Sequence, residues 1–199
     1  VPTILHGAII FQDDFEGNSL KKWDEKVGTA KLVSDAQHSG RQCLEISKTL
    51  GSNTGGDLKK WFMPGYEQVY VRFYVKFAED YNYDHHFVHL MGNHKTNRWS
   101  AFGKAGVKPD GSYFTTGMEP WFAWGKNPPP GEVSFYSYFI DMKEDPKMHK
   151  YWGNSFFPPG PEEGEAASPN RYIPERGKWE CWEFMVKCNT PGEHDGEQA

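Results

Sequence analysis

Apolar and polar residues alternate along short stretches of the chain, and the three-to-four-residue spacing of a helix is nearly absent. The clearest stretch covers residues 69–77, where the odd-numbered positions are valine or phenylalanine. Its even-numbered positions carry tyrosine, arginine or lysine. Because the side chains of a strand alternate between two faces, this stretch predicts a strand with one buried face. We expect the other face to be accessible to solvent and to line a cleft.

Five further stretches predict strands by the same pattern. They cover residues 9–11, 43–47, 85–90, 134–142 and 179–189. The 85–90 stretch follows a polar turn at 79–84, so we expect it to pair with 69–77 as a hairpin.

Length and turn content place these strands in one domain. The chain has 199 residues with 21 glycines and 14 prolines, as expected for many strands joined by tight turns. We therefore predict a single all-β domain over residues 1–199, built as a two-sheet antiparallel β-sandwich. Asp195-Gly196 is a hairpin signal close to the C-terminus, so we expect a further strand to follow and the chain to be a fragment of a longer protein.

Charge and aromatic content narrow the classes of partner. The net charge is −5, whereas a general nucleic-acid binder shows a basic field, so we expect no nucleic-acid partner. No apolar run reaches the length of a membrane span, and any signal peptide is expected to have been removed from this chain. Aromatic residues make up 16% of the chain, which favours exposed platforms for a flat ligand.

Several segments resemble a known superfamily. The segment 11–16 (Phe-Gln-Asp-Asp-Phe-Glu), followed by Trp23 and by 38–46, is similar to the opening of secreted jelly-roll carbohydrate proteins, including the concanavalin A-like lectin/glucanase superfamily. The sheet strands of the polysaccharide lyases in that superfamily are similar to 69–77, 85–90 and 179–189. The resemblance implies a jelly roll whose concave sheet holds a polysaccharide, in a protein that is extracellular or periplasmic.

The chain departs from the motifs of two enzyme groups in that superfamily. The retaining glucanases carry a Glu-x-Asp-x-x-Glu run on one strand, and the sequence contains none. Glu180 and Glu183 are the nearest pair, but their odd spacing puts them on opposite faces of a strand. The arginine-rich and Gln-x-His motifs of alginate lyases are also missing. A lyase interpretation therefore rests on residue chemistry.

β-Elimination on a uronic-acid polysaccharide needs a positive group at the carboxylate, a base for the C5 proton and an acid for the leaving oxygen. We predict Arg72 as the carboxylate partner, because its planar fork matches that group, and His89 as the base. Tyr74 or Tyr138 would protonate the leaving oxygen. The other polar side chains predicted to bind the substrate are Lys76, His85, Glu183, Lys187 and Asn189.

Residues 119–125 keep two alternatives to a lyase open. Glu119, Trp121 and Trp124, as exposed loop residues, would bind sugar hydroxyls and stack on sugar rings. Such a platform without a base would make the protein a non-catalytic carbohydrate-binding module. A glycoside hydrolase would need two facing carboxylates, for which Glu119 and Glu183 are the candidates. We favour the lyase and leave the enzymatic character open.

Two clusters could bind metal ions. Asp14 and Glu16, near Gly17 and Asn18, offer oxygen ligands suited to a structural calcium ion. Two histidines at alternating positions of one predicted strand, His85 and His89, could ligate zinc, but a third ligand with diagnostic spacing is missing.

Three cysteines leave the disulfide state open. Cys181 and Cys188 would face opposite sides of one predicted strand, so they cannot bridge each other there. Cys43 could pair with either, and three reduced thiols are the alternative.

Overall fold

The computed structural model describes residues 8–49, 51, 55–83, 86–94, 97–157 and 172–199. The described part of the chain is all-β with antiparallel sheets, which confirms the predicted fold class. Its helical content is one 3-10 turn, η1 (Ala123–Gly125), and none of its helices could cross a membrane. The chain forms two compact units, Val1–Met63 and Pro64–Ala199. A single jelly-roll domain over 1–199 stays a prediction.

The N-terminal unit contains two short antiparallel strand pairs. Strand β1 (Glu25–Gly28) pairs with β4 (Gly56–Lys59), and β2 (Lys31–Val33) pairs with β3 (Cys43–Glu45). The strand predicted over 43–47 is therefore present but shorter. The strand predicted over 9–11 is wrong, because that segment forms no ladder among the described residues. Phe11 packs edge-on against Trp23 instead, with ring centroids 4.9 Å apart.

The predicted calcium ligands of this unit already have donors from the protein. Glu16 Oε1 accepts hydrogen bonds from the backbone N–H groups of Arg41 (2.7 Å) and Gln42 (2.9 Å). Glu16 Oε2 lies 3.3 Å from Arg41 Nε, and Asp14 Oδ1 accepts from the Glu16 N–H at 3.1 Å. A calcium ion at Asp14 and Glu16 stays a prediction.

We predict that Glu16→Gln lowers the melting temperature at neutral pH and that this difference disappears in acid. The backbone N–H groups of Gln42 and Arg41 hold the pKa of Glu16 below its usual value of 4.5. A lowered folded-state pKa stabilises the fold above the unfolded value, and the stabilisation is lost as pH falls through the folded pKa. Thermal melts of wild type, Glu16→Gln and the exposed control Glu193→Gln across this range would check it. A pH-independent difference would contradict it.

The C-terminal unit contains two larger antiparallel sheets. The four-stranded sheet has the order β11 (Asn154–Phe156), β8 (Glu132–Tyr138), β7 (Tyr113–Trp121) and β6 (Val88–Asn93). The three-stranded sheet has the order β13 (Glu197–Gln198), β12 (Glu180–Lys187) and β5 (Gln68–Val75). A separate hairpin joins β9 (Glu144–Asp145) to β10 (Lys150–Tyr151).

Strand pairing differs from the predicted hairpin. Strand β5 pairs with β12, in a register that runs from Val75 opposite Glu180 to Gln68 opposite Lys187. Strand β6, which covers the predicted 85–90 stretch only in part, pairs with β7 on the other sheet. The predicted hairpin between 69–77 and 85–90 is therefore wrong. Its two strands separate into different layers because each finds its ladder with a more distant segment.

The core of this unit lies between the two sheets. Met118, Val133 and Phe135 come from the four-stranded sheet, and Trp182 and Phe184 face them from β12. The even-numbered side chains of β5 are exposed and its odd-numbered ones are half-buried, as the sequence predicts. Two buried faces packed around one apolar cluster form a two-layer β-sandwich. The jelly-roll connection of its strands stays a prediction.

A polar contact also crosses between the layers. Gln198, in β13, accepts hydrogen bonds at Oε1 from Thr116 Oγ1 (2.6 Å) and Ser137 Oγ (2.9 Å). These hydroxyls lie on the core-facing sides of β7 and β8. Strand β13 is thus tied to the opposite sheet, and the loop that joins it to β12 turns at Pro191 and Gly192 rather than at Asp195-Gly196. The chain as a fragment of a longer protein stays a prediction.

Candidate functional site

The candidate site lies on the face of the four-stranded sheet that points away from the core. Met118 and Phe135 point into the core, so their neighbours in sequence point to the other side. The register places His89 of β6 opposite Gly117 of β7, and Gly117 opposite Tyr136 of β8. Glu119 is two residues from Gly117 on the same strand, so it shares this face.

A buried carboxylate joins two imidazoles at the centre of this face. Glu119 Oε2 lies 3.0 Å from His89 Nε2 and 3.3 Å from His86 Nδ1. The side chains of Glu119, His89 and His86 are 3%, 10% and 48% exposed. The carboxylate is thus shielded from solvent, while the imidazole of His86 is in contact with solvent. Within the described residues, these three also form the group of side chains whose ligand atoms, all within 4.8 Å of one another, could hold a metal ion.

Glu119 is ionised over the whole physiological range. Burial alone raises the pKa of its carboxyl group, but hydrogen bonds from His86 and His89 outweigh burial and lower the pKa to about 2. An ionised carboxylate only accepts hydrogen bonds, so the imidazole nitrogens that face it carry hydrogen. The carboxylate therefore fixes which tautomer a neutral ring adopts, with the lone pair on His86 Nε2 and on His89 Nδ1.

Two glycines make room for the rings of the site. A Cβ on Gly117 would lie 2.6 Å from His89 Cδ2 and 2.4 Å from the Val88 carbonyl oxygen. A Cβ on Gly153 would lie 2.6 Å from the Tyr136 ring and 2.7 Å from the Tyr138 ring. At both positions an aromatic or imidazole ring packs directly against the backbone, and a side chain larger than that of glycine would prevent this contact.

Two tyrosines adjoin the imidazoles. The Tyr136 ring lies 5.5 Å from the His86 ring, and the Tyr136 hydroxyl lies 3.2 Å from the Tyr138 hydroxyl. Tyr138 is buried in a second apolar cluster with Tyr113 and Met142, whereas Tyr136 is half-buried. Burial, followed by the contact with Tyr138, raises the pKa of Tyr136, so its hydroxyl keeps its proton. Tyr136 is the phenol nearer to the open side of the face.

Aromatic and cationic side chains extend the face in both directions. Trp121 follows Glu119 on the same side of β7, and its ring lies 5.7 Å from that of Trp124, which is 86% exposed. At the tyrosine end, Lys104 Nζ lies 4.9 Å from the Tyr113 ring centroid. Lys150 Nζ lies 5.8 Å from the Trp152 ring centroid, on the segment whose Gly153 packs against Tyr136.

Some of the predicted site residues meet on this face. They are His89, Glu119, Trp121 and Tyr138. Glu119 and Trp121 were expected in an exposed loop, and that expectation is wrong because both belong to β7. Trp124 follows in η1. His85 lies outside the described residues.

Other predicted residues lie on the outer face of the opposite sheet. Arg72 pairs with Glu183 across β5 and β12, and Tyr74 lies two residues further along β5. The apolar core separates this face from His89, so a joint site of Arg72, Tyr74 and His89 is wrong. The same separation excludes Glu119 and Glu183 as facing carboxylates. The even-numbered residues of β5 are exposed, which confirms that this face is accessible to solvent; the expected cleft along 70–76 stays a prediction.

The remaining substrate-binding candidates have local structural contacts. Lys76 Nζ lies 5.5 Å from the Trp179 ring centroid. Lys187 Nζ bonds to the Asp195 carbonyl oxygen at 2.9 Å, and Asn189 Oδ1 accepts from the Gly196 N–H at 2.6 Å. The contacts of Lys187 and Asn189 stabilise the loop between β12 and β13.

Sequence reasoning missed His86 and Tyr136 as site residues. Tyr136 lies two residues before Tyr138 on the same strand, so the period of two that selected Tyr138 also selects Tyr136. His86 precedes β6, with a positive φ of 71°. No strand periodicity applies to it, and only its contact with Glu119 identifies it.

All three cysteines are free thiols. Comparison of the chain with family models, with curated proteins and with solved structures finds no match. The functional argument therefore rests on the geometry of the site.

Proposed function

We propose that the protein is a carbohydrate-active enzyme that cleaves an anionic, uronic-acid polysaccharide by β-elimination. One observation carries this proposal: the accessible groups around the buried Glu119 are the imidazole of His86 and the phenol of Tyr136. β-Elimination consists of proton transfers at carbon and oxygen, which imidazole and phenol groups perform. Secretion to the cell exterior or periplasm goes with this proposal, since such polymers are extracellular.

The roles within the site follow from exposure and contact. Tyr136 is the proton-transfer residue, because it is the less buried of the two phenols and its ring lies beside the His86 imidazole. Tyr138 is a positioning residue, whose buried hydroxyl holds that of Tyr136 at 3.2 Å. His89 was predicted as the base, but its Nε2 faces Glu119 and its side chain is 10% exposed. We therefore assign His89 a supporting role.

The surroundings suit a charged sugar chain. Lys104 and Lys150 offer positive charge beside the tyrosines, and an anionic polymer would meet them at the rim. At the other end, the exposed Trp124 ring beside Trp121 offers a stacking surface for a sugar ring. An extended polymer that crosses the face would contact both ends.

A glycoside hydrolase is the second candidate, because Glu132 shares the face with Glu119. The register pairs Glu119 with Ser134 and Trp121 with Glu132, so the two carboxyl groups are one diagonal step apart. Hydrolysis requires two carboxyl groups that flank the scissile bond. Both residues are buried, at 2% exposure each, which keeps a polymer from reaching their carboxyl groups and favours the lyase.

The test is a panel of uronic-acid and neutral polysaccharides incubated with the full chain. Product is followed by the ultraviolet absorbance of the unsaturated sugar and, separately, by new reducing ends. We expect an absorbance gain with at least one anionic polymer, and Arg72→Ala on the opposite sheet should keep that rate. Reducing ends without absorbance would indicate a hydrolase. Binding without product would indicate a carbohydrate-binding module, and either result would refute the lyase.

A further inference from the structure

We propose that His86, His89 and Glu119 bind a divalent transition-metal ion, with zinc as the best match. Two imidazoles and one carboxylate converge on a single point of the four-stranded sheet, and Glu119 Oε2 faces a nitrogen of each ring. The set of two histidines and one glutamate is one of the ligand sets that proteins use for catalytic zinc, with the remaining position open.

The spacing of the ligand atoms fits an ion. Zinc lies about 2.0–2.2 Å from nitrogen and oxygen ligands, so two ligand atoms at right-angle or tetrahedral positions are about 2.8–3.6 Å apart. The two measured separations, 3.0 Å and 3.3 Å, fall in that range. An ion would take the lone pairs of these two nitrogens, so the ring hydrogens that face Glu119 in the metal-free protein would move to the other nitrogen of each ring. All three ligand atoms lie within 4.8 Å of one another, and a rotation of the half-exposed His86 ring can adjust the third separation.

The elements that hold the ligands differ in rigidity. His89 and Glu119 belong to paired strands and are almost fully buried. The missing Cβ of Gly117 gives the His89 ring its place across β7. His86, just before β6, is exposed and completes the set from the solvent side. An ion would thus enter past His86 and meet two ligands that are already fixed.

The positive charge of such an ion would give it a role in substrate binding and catalysis, and this role rests on the proposed function. With neutral imidazoles and no ion, Glu119 leaves one negative charge beneath the face, and that charge repels a uronate. A divalent ion adds two positive charges, so the net charge of the cluster changes from −1 to +1 and the ion becomes the largest local charge. The loaded site would attract the substrate carboxylate and supply the positive group that β-elimination needs.

The test measures Zn²⁺ binding to the metal-stripped full chain by isothermal titration calorimetry, with no polysaccharide present. We expect one ion per chain, and His86→Ala should weaken binding by more than the about 10–100-fold typical of a lost second-shell partner. His86 is exposed, so this variant should fold, which circular dichroism would verify. His89→Ala should show the same loss.

The matched control is His149→Ala. His149 also pairs with a glutamate, with Nδ1 2.8 Å from Glu144 Oε1, but both side chains are exposed and no second imidazole from the described part of the chain joins them. This variant should bind Zn²⁺ as the wild type does. Absence of a one-to-one site, or equal affinity in wild type and His86→Ala, would overturn the metal proposal.

Failure of the metal site and failure of the proposed function have different signatures. Zn²⁺ binding that depends on His86, in a protein that cleaves no polymer, would uphold the site and refute the lyase. Polysaccharide cleavage at an undiminished rate after metal removal would uphold the lyase and refute the catalytic role of the ion.

Discussion

Replacing Phe184 by alanine should lower the free energy of unfolding of the sandwich unit by about 3–5 kcal/mol, as is typical for a buried phenylalanine. Phe184 is 3% exposed and lies in β12. Its ring contacts Phe73 on the same sheet and Phe135 on the opposite sheet, with centroid distances of 6.5 Å and 5.8 Å. The truncation removes apolar contacts in both layers and leaves a cavity that neither sheet can close.

Denaturant unfolding followed by tryptophan fluorescence would measure this loss, because Trp182 lies in the same cluster. Tyr70→Ala is the matched control: an aromatic side chain on the outer face of the same sheet, 58% exposed, whose loss should change stability far less. Phe184→Leu retains most of the apolar volume and should lie between the two. Equal denaturant midpoints for Phe184→Ala and Tyr70→Ala would contradict the burial of Phe184 between the two sheets.

The sequence predicts the faces of the strands better than their partners. The period of two identifies β5 and orients all of its side chains correctly, because burial of one face is a local property of the pattern. The partner of β5 is β12, more than a hundred residues away in the chain. No local pattern encodes that choice, so the nearest strand was predicted and the hairpin was wrong.

Strand β7, the inner strand that carries Glu119, was interpreted in part as a loop. Pro120 lies inside it, opposite Val133, and proline is uncommon within a central strand because it cannot donate to the ladder. Gly117 weakened the strand pattern further. These exceptions coincide with the site: Gly117 makes room for the His89 ring, and Pro120 follows Glu119 directly.

The candidate site was therefore predicted in part. His89, Glu119, Trp121 and Tyr138 share one face because their strands are neighbours, a fact of sheet order that strand parity alone does not give. Arg72 and Glu183 have the same outward parity, but they lie on the other layer and pair with each other. The alternation along a strand shows whether a side chain points into the core or outward. A sandwich has two outward faces, one on each sheet, and only the order of the strands in the sheets shows on which of the two a side chain lies.

Tyr136→Phe should reduce turnover on the polymer cleaved by the wild type by about 10²–10⁴-fold, the usual contribution of a general acid–base group. Removing one hydroxyl keeps the ring that packs against His86, so the variant should stay folded, which circular dichroism would verify. On the proposed mechanism the loss should appear in kcat more than in KM, since the hydroxyl would act on a proton in transit and Trp124 and the lysines would still bind the polymer.

Tyr138→Phe distinguishes positioning from proton transfer. Its hydroxyl contacts that of Tyr136 from a buried position, so its removal should reduce turnover less than Tyr136→Phe does. Tyr74→Phe is the control, because Tyr74 is an exposed phenol on the outer face of the other sheet and should keep full turnover. A Tyr136→Phe enzyme with wild-type kcat, or a Tyr74→Phe enzyme that loses activity, would move the proton transfer away from the His–Glu–Tyr face. The outer face of the three-stranded sheet thus supplies control variants for the candidate site on the four-stranded sheet.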